Sequence, residues 1–214
     1  MIVLYSHQKG GVGKSTLAIN HAYSKGCSII DLDSQNSSML FNQLRKMQNR
    51  ENLDCYTSNT INEFNEMIKP FKANKENMII IDSGGYDSEI NRLALISADI
   101  IITPVGASQI ELFGLQKFRN ILNDASDATG TNVKTHVLIN NVDSRSKKKI
   151  SELREYIEKN EKYFNLLESV IHTRVDFKNA YGDGLTVKEL DKESKATQEI
   201  KSLTKEIDNI IKNK

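Results

Sequence analysis

The sequence predicts an α/β architecture: a doubly wound, mostly parallel sheet flanked by helices. Three observations carry this. Short apolar runs rich in isoleucine and valine recur along the chain, and longer polar segments of helical character lie between them. The apolar runs are continuous rather than alternating, which means burial on both faces of each strand. Among the 214 residues 38% are apolar and 27% charged, enough for one buried core and unlike a disordered or collagen-like chain.

In chain order, the first strand is expected over Ile2 to Tyr5, followed by a glycine-rich loop and a helix from Ser15 to Lys25. A second strand (Ser28 to Leu32) leads to a helix from Asn36 to Arg50, and a further helix spans Thr60 to Phe71. The isoleucine run Met78 to Ile81 and the run Ile100 to Thr103 make two more strands; a helix from Gln109 to Asp124, a strand from Val137 to Ile139 and a helix from Lys147 to Lys159 follow. Near the end, Ala196, Ile200, Leu203, Ile207 and Ile210 recur at three-to-four spacing among Lys and Glu, which predicts an amphipathic helix over about 194–213. No repeat or low-complexity linker divides the chain, so residues 1–214 are expected to form a single domain.

The 29 basic and 28 acidic residues nearly cancel, so attraction to nucleic acid or membrane has to come from a local patch. Residues 145 to 214 hold 16 Lys/Arg against 13 Asp/Glu, whereas residues 1 to 144 hold 13 against 15, which makes the C-terminal third the more basic. Cys27 and Cys55 are too few for a disulfide framework. No run approaches the roughly 20 apolar residues of a membrane span, and Met1 leads straight into Ile2 without a charged leader, so a cytoplasmic protein is expected.

Residues 9 to 16 read KGGVGKST directly after the first strand. The phosphate-loop pattern G-x-x-x-x-G-K-[ST] is met with Gln8 in place of its first glycine. The physics survives this deviation. Gly10, Gly11 and Gly13 let consecutive N–H groups, with that of Val12, curl around a phosphate, and the helix that follows offers its positive end to the same anion. Lys14 is expected to bridge the β and γ phosphates, the Ser15 hydroxyl to ligate Mg2+, and Thr16 to reach the α-phosphate.

KGGVGKST, with its second lysine at position 9, resembles the ParA/MinD family of deviant P-loop ATPases, closest in type to small plasmid-partition ParA proteins. DLDSQ at 31 to 35, IIIDSGG at 79 to 85 and ADIIITPV at 98 to 105 agree in order and spacing, and the likeness runs from residue 1 to about 190. It implies a P-loop NTPase fold and ATP hydrolysis with Mg2+. Lys9 would cross a two-fold interface to the nucleotide of a second subunit, giving a face-to-face homodimer with ATP; alternatively it is an exposed lysine with no task.

The resemblance matches Asp33 to the aspartate that positions the attacking water and places Asp31 near the metal's outer shell; Ser34 stands where many relatives have proline. Helix capping is the alternative for this pair. Asp82 ends a buried strand beside Gly84 and Gly85, where a charge is costly unless a cation or donors meet it, and a metal-bound water would do so. Asn140 matches a family position that touches the adenine base, with a strand-ending turn as the alternative. No arginine lies in these motifs, which predicts slow basal hydrolysis that an activator speeds.

The segment from Ile171 to Glu189 resembles the family's late motif, from which basic residues hold DNA without sequence preference in ParA relatives. Candidates are Arg174, Lys178, Lys192 and Lys195, with Arg145 and Lys147 to Lys149 as a second cluster; each alone is more often a solvated surface residue, so the patch matters more than its members. The first strand starts at Ile2 without a preceding DNA-reading domain, which implies the small ParA type, a nucleoid-associated protein working with a separate small centromere-binding (ParB/ParG-like) partner. Segregation of plasmid or chromosome DNA is the expected function. Alternatives are a MinD-like membrane-cycling ATPase, a P-loop small-molecule ligase and a non-hydrolysing scaffold. The terminal helix lacks Trp and Phe and carries Glu199, Glu206 and Asp208, which argues against membrane attachment. The four histidines show no metal spacing and are expected at the surface or satisfied in the core.

Overall fold

The computed structural model describes residues 1–213. Its sheet has seven strands in the order β3-β2-β4-β1-β5-β6-β7, all parallel. They are β1 (Ile2–Tyr5), β2 (Ser28–Asp31), β3 (Cys55–Thr57), β4 (Ile79–Asp82), β5 (Ile100–Val105), β6 (Thr135–Val142) and β7 (Phe164–His172). The helices are α1 (Lys14–Lys25), α2 (Ser37–Met47), α3 (Ile61–Ala73), α4 (Glu89–Ser97), α5 (Gln109–Thr129), α6 (Lys147–Glu158), α7 (Val175–Gly182), α8 (Val187–Leu190) and α9 (Lys195–Lys212).

Alternation along each strand sends successive side chains to opposite faces, and both faces are covered. Ile2 and Leu4 of β1 join Ile79 and Ile81 in a core under α3, α4, α5 and α6, where Phe64, Ile68, Leu95, Phe118 and Leu153 meet them. Val3 and Tyr5 join Ile80 in the opposite core, under α1, α2, α7, α8 and α9, with Leu17, Phe41, Val187, Ile200 and Leu203. This two-sided burial is why the strands read as unbroken apolar runs.

The central strand β1 pairs with β4 on one side and β5 on the other. The chain leaves β1 toward β2 and later crosses to β5, so the strand order reverses there, and a crevice opens beyond the C-terminal ends of the strands, where ligands bind in open α/β sheets.

Five strands and six helices lie at the expected places with small boundary differences. The second strand stops at Asp31, and α5 runs on to Thr129. Two strands were not expected, both at sheet edges. β3 is only three residues long, and β7 has its apolar pattern broken by Asn165, Glu168 and Ser169 and its pairing with β6 shifted by bulges. Helices α4, α7 and α8 were also not anticipated. The apolar stripe of α9 is buried, with Ala196, Ile200, Leu203 and Ile207 at 0–2% exposure. Among the described residues no helix is long and apolar enough to cross a membrane.

Candidate nucleotide-binding site

The loop from Gln8 to Gly13 joins β1 to α1 across the sheet's C-terminal edge. Gly11 and Gly13 adopt φ of +75° and +95°, a region that side chains with a Cβ rarely enter, and a Cβ on Gly13 would lie 2.5 Å from Asn140 Nδ2. Helix α1 begins without a side-chain cap and without an acidic residue in its first turn. In contrast, α3, α4 and α5 each carry a capping Thr or Ser and a first-turn Glu. The first N–H groups of α1 therefore have no capping side chain of their own helix.

Lys14 is 4% exposed and folds back over the loop, its Nζ donating to Lys9 O at 3.2 Å. Burial lowers its pKa, while Asp82 and Asp33 pull the other way. Asp82 is fully buried and sits in register with Asp31 across the β2·β4 pair and with Tyr5 of β1. Neither of its carboxylate oxygens has a hydrogen-bond partner among the described residues. Burial raises its pKa, as do the facing Asp31 and Asp33, against the pull of Ser15 and Lys14. An unpartnered buried carboxylate next to a lysine and a serine, under a glycine cradle, fits a hydrated divalent cation held with a phosphate chain.

Asp31 is buried, with Oδ1 accepting from Asp33 N–H (3.0 Å) and Oδ2 from Ser38 N–H (2.9 Å). These bonds shape the turn that carries Asp33, so the capping alternative describes what Asp31 does within the chain. Asp33 is half-buried; its Oδ1 accepts from Gln35 N–H at 3.0 Å, and its Oδ2 takes no bond among the described residues. Gly85 lies against the cradle: a Cβ there would come within 3.0 Å of Gly10 N.

Asn140 is 6% exposed and donates from Nδ2 to Val12 O at 2.7 Å, tying β6 to the loop. On that side lies a cavity of about 200 Å3, walled by Gly13, Thr16, Asn140, Ile171, Arg174 and Phe177 among others. Thus the structure brings Lys9, Gly10, Gly11, Val12, Gly13, Lys14, Ser15, Thr16, Asp31, Asp33, Asp82 and Asn140 to one edge of the sheet.

Lys9 has a partner within its own chain that sequence reasoning did not find. Its ammonium is ion-paired with Glu111 of α5. The motif Ser108-x-x-Glu111 looks in sequence like a capping box, and Ser108 does accept from Glu111 N–H; the Glu111 carboxylate, however, goes to Lys9. Gly114, one turn on, permits the approach, because a Cβ there would lie 3.0 Å from His7 Cε1 and 3.9 Å from Lys9 Cδ. His7 is fully buried, stacks on Phe118 and accepts Lys9 N–H at Nδ1 (2.9 Å). Burial, with Lys14 and Lys9 nearby, pushes its pKa down to about 3, so the ring is neutral.

Residues 3–187 match the model of the CobQ/CobB/MinD/ParA nucleotide-binding domain. The chain belongs to this family. It is an ATPase of the ParA/MinD type. No curated protein sequence matches it. Among solved structures the family fold recurs. Apo McdA from Cyanothece superimposes with a TM-score of 0.74 at 15% identity, covering 96% of this chain and 98% of that one. The Aquifex aeolicus cell division protein MinD gives 0.72 at 15%, covering 97% of each chain. A Borrelia burgdorferi plasmid partition protein bound to AMPPNP gives 0.67 at 19%, covering 97% and 98%.

Among the basic candidates, Arg174 is ion-paired with Glu199 and its side chain is 24% exposed. It lines one open groove with Lys195. Lys178 on α7, Lys192 before α9 and Lys147 to Lys149 on α6 are exposed, and Arg145 pairs with Asp143. Arg174 is thus held by an internal acid, a restraint that sequence reading missed because Glu199 lies on another element.

Proposed function

We propose that this family member is a DNA-segregation ATPase, in which Mg-ATP joins two copies face to face, the pair holds DNA without sequence preference, and hydrolysis parts them. The observation that carries the reading is the division of labour between two lysines on one loop. Lys14 lies folded over the cradle, whereas Lys9 directs its ammonium away to Glu111 on α5. A lysine held beside the phosphate loop by Glu111, with Lys14 already folded over the cradle, is the group a second copy would use. Ile110 and Phe113, at 65% and 52% exposure on the same helix, provide apolar surface next to it for a partner copy to bury.

The cradle N–H groups and Lys14 bind the phosphate chain, Ser15 and Asp82 hold the hydrated cation, and Asp31 keeps the Asp33 turn in shape. Mg2+, when bound, supplies charge neutralisation across the phosphates. Asp33, with Oδ2 free of protein bonds, orients a water, and Lys9 of the second copy stabilises developing charge. Asn140 recognises the base. DNA contact is assigned to Lys178, Lys192 and Lys195, several per copy, because phosphate contacts add and are salt-sensitive, while Arg174 is held by Glu199. A small centromere-binding (ParB/ParG-like) partner supplies cargo and stimulates hydrolysis, and the pair resides on the nucleoid.

The stripe of α9 lies against β7 and α1, so a membrane would have to compete with the protein's own core for it. The test is a mobility shift on arbitrary duplex DNA with ATP, ADP or no nucleotide at two salt concentrations. ATP-dependent, salt-sensitive retardation is expected. Binding to anionic lipid vesicles in its place, or to neither, contradicts the reading.

A further inference from the structure

The cavity beside the phosphate loop has one wall made by Ile171 and His172 at the end of β7 and by Arg174 just before α7. His172 ends β7 and pairs with Val142 of β6, Thr173 N–H donates to Val142 O at 3.0 Å, and two side-chain contacts add to this hold. Thr173 donates its hydroxyl to Asn141 Oδ1 at 2.9 Å. The second contact comes from the C-terminal helix: Glu199 of α9, whose side chain is 15% exposed, reaches the back of the wall. Its carboxylate accepts from His172 N–H (3.1 Å), His172 Nδ1 (2.8 Å), Arg174 Nε (3.1 Å) and Arg174 Nη2 (2.5 Å). His172 and Arg174 both line the cavity.

We propose that Glu199 is a positioning residue for the nucleotide base: by holding His172 and Arg174 from behind, it sets the wall against which the base lies, and so makes α9 part of the nucleotide site. This rests on the reading of that cavity as the base end of an ATP site. Two charge-assisted groups and one backbone donor converging on one largely buried carboxylate form a rigid unit. Burial alone would raise the Glu199 pKa, but the bonds from Arg174 and His172 hold it below the ordinary range, so the carboxylate is ionised at neutral pH. Arg174 Nη1 takes no bond among the described residues, which leaves the guanidinium a free donor on a residue that lines the cavity. A purine held between this guanidinium, Phe177 and the amide of Asn140 is recognised by stacking and by edge hydrogen bonds.

A merely structural carboxylate would behave differently, and the same helix provides the comparison. Glu206, two turns further along α9, accepts from Glu168 N–H (2.7 Å) and Ser169 N–H (2.9 Å) in the middle of β7, away from the cavity. Both glutamates anchor α9 to β7, and only Glu199 reaches residues that line the cavity.

The experiment is calorimetric titration of the full chain with ATP, GTP and inorganic tripolyphosphate in Glu199→Ala, Glu199→Gln and Glu206→Ala. Glu199→Ala is expected to weaken ATP about tenfold, equivalent to about 1.4 kcal/mol, to leave tripolyphosphate within about twofold, and to narrow the ATP-to-GTP affinity ratio. Glu199→Gln, which keeps an accepting oxygen, is expected to fall between Glu199→Ala and the unaltered chain. Glu206→Ala should lower the melting temperature without changing either affinity. Unchanged ATP affinity in Glu199→Ala, or an equal loss for ATP and tripolyphosphate, would overturn the proposal alone. An unaltered chain that binds none of the three ligands would remove it together with the reading on which it rests.

Discussion

Two lysines five residues apart do separable jobs, and substitution can separate them. Lys14 is the buried ammonium of the cradle, so Lys14→Ala should reduce ATP affinity at least about a hundredfold, the loss of a charge-assisted contact in a dry site, read by fluorescent nucleotide titration. Lys9→Ala should leave nucleotide affinity per chain within about threefold and abolish ATP-dependent association, because in the proposed dimer its ammonium serves the other copy. Gly13→Ala combines a φ of +95° with a Cβ 2.5 Å from Asn140 Nδ2; a stability loss of about 1–3 kcal/mol and loss of nucleotide binding are expected. These residues were legible in the sequence because their chemistry is local: consecutive glycines, then a lysine and a serine before a helix. Glu111 and Glu199 were not legible. Their partners lie 102 and 25 positions away, and each reads locally as an ordinary helix-surface glutamate.

At the scale of elements, α9 and the α7–α8 hairpin clamp one face of the sheet. Arg45 of α2, with its side chain 4% exposed, donates to both oxygens of Glu189 on α8, to Gly184 O and to Glu51 O. Breaking a buried pair from one side strands the other charge, so Glu189→Ala should cost about 3–5 kcal/mol in urea unfolding. Ile200→Ala, in the buried stripe of α9, should cost about 2–5 kcal/mol; a cost near zero would mean that the stripe is not packed on the sheet. The central strands were readable because burial on both faces leaves unbroken isoleucine runs. The edge strands β3 and β7 were not, because an edge strand keeps polar residues and its bulges break the period.

For the whole molecule, near-neutral net charge means that association depends on placement of groups rather than on bulk attraction. Acid sensitivity follows from two buried histidines. Burial lowers the His7 pKa to about 3 and that of His21 to about 4, from an ordinary 6.5. The unfolded chain takes up these protons below pH 6.5 while the folded chain does not, so the histidines' contribution to stability is full above pH 6.5 and falls as the pH drops toward 4, whereas Asp82, raised to about 7, takes up a proton in the folded chain over the same range and opposes that fall. The slope approaches about 1.4 kcal/mol per pH unit for each ring. Urea midpoints compared between pH 7.5 and 4.5 isolate the His21 contribution: the unaltered chain should lose stability relative to His21→Gln as the pH falls. The central claim concerns pairing, and sedimentation velocity with a non-cleavable ATP analogue and Mg2+ addresses it directly. The chain should sediment as a dimer with the analogue and as a monomer with ADP or as Lys9→Ala. A chain that stays monomeric with the analogue bound would contradict the account.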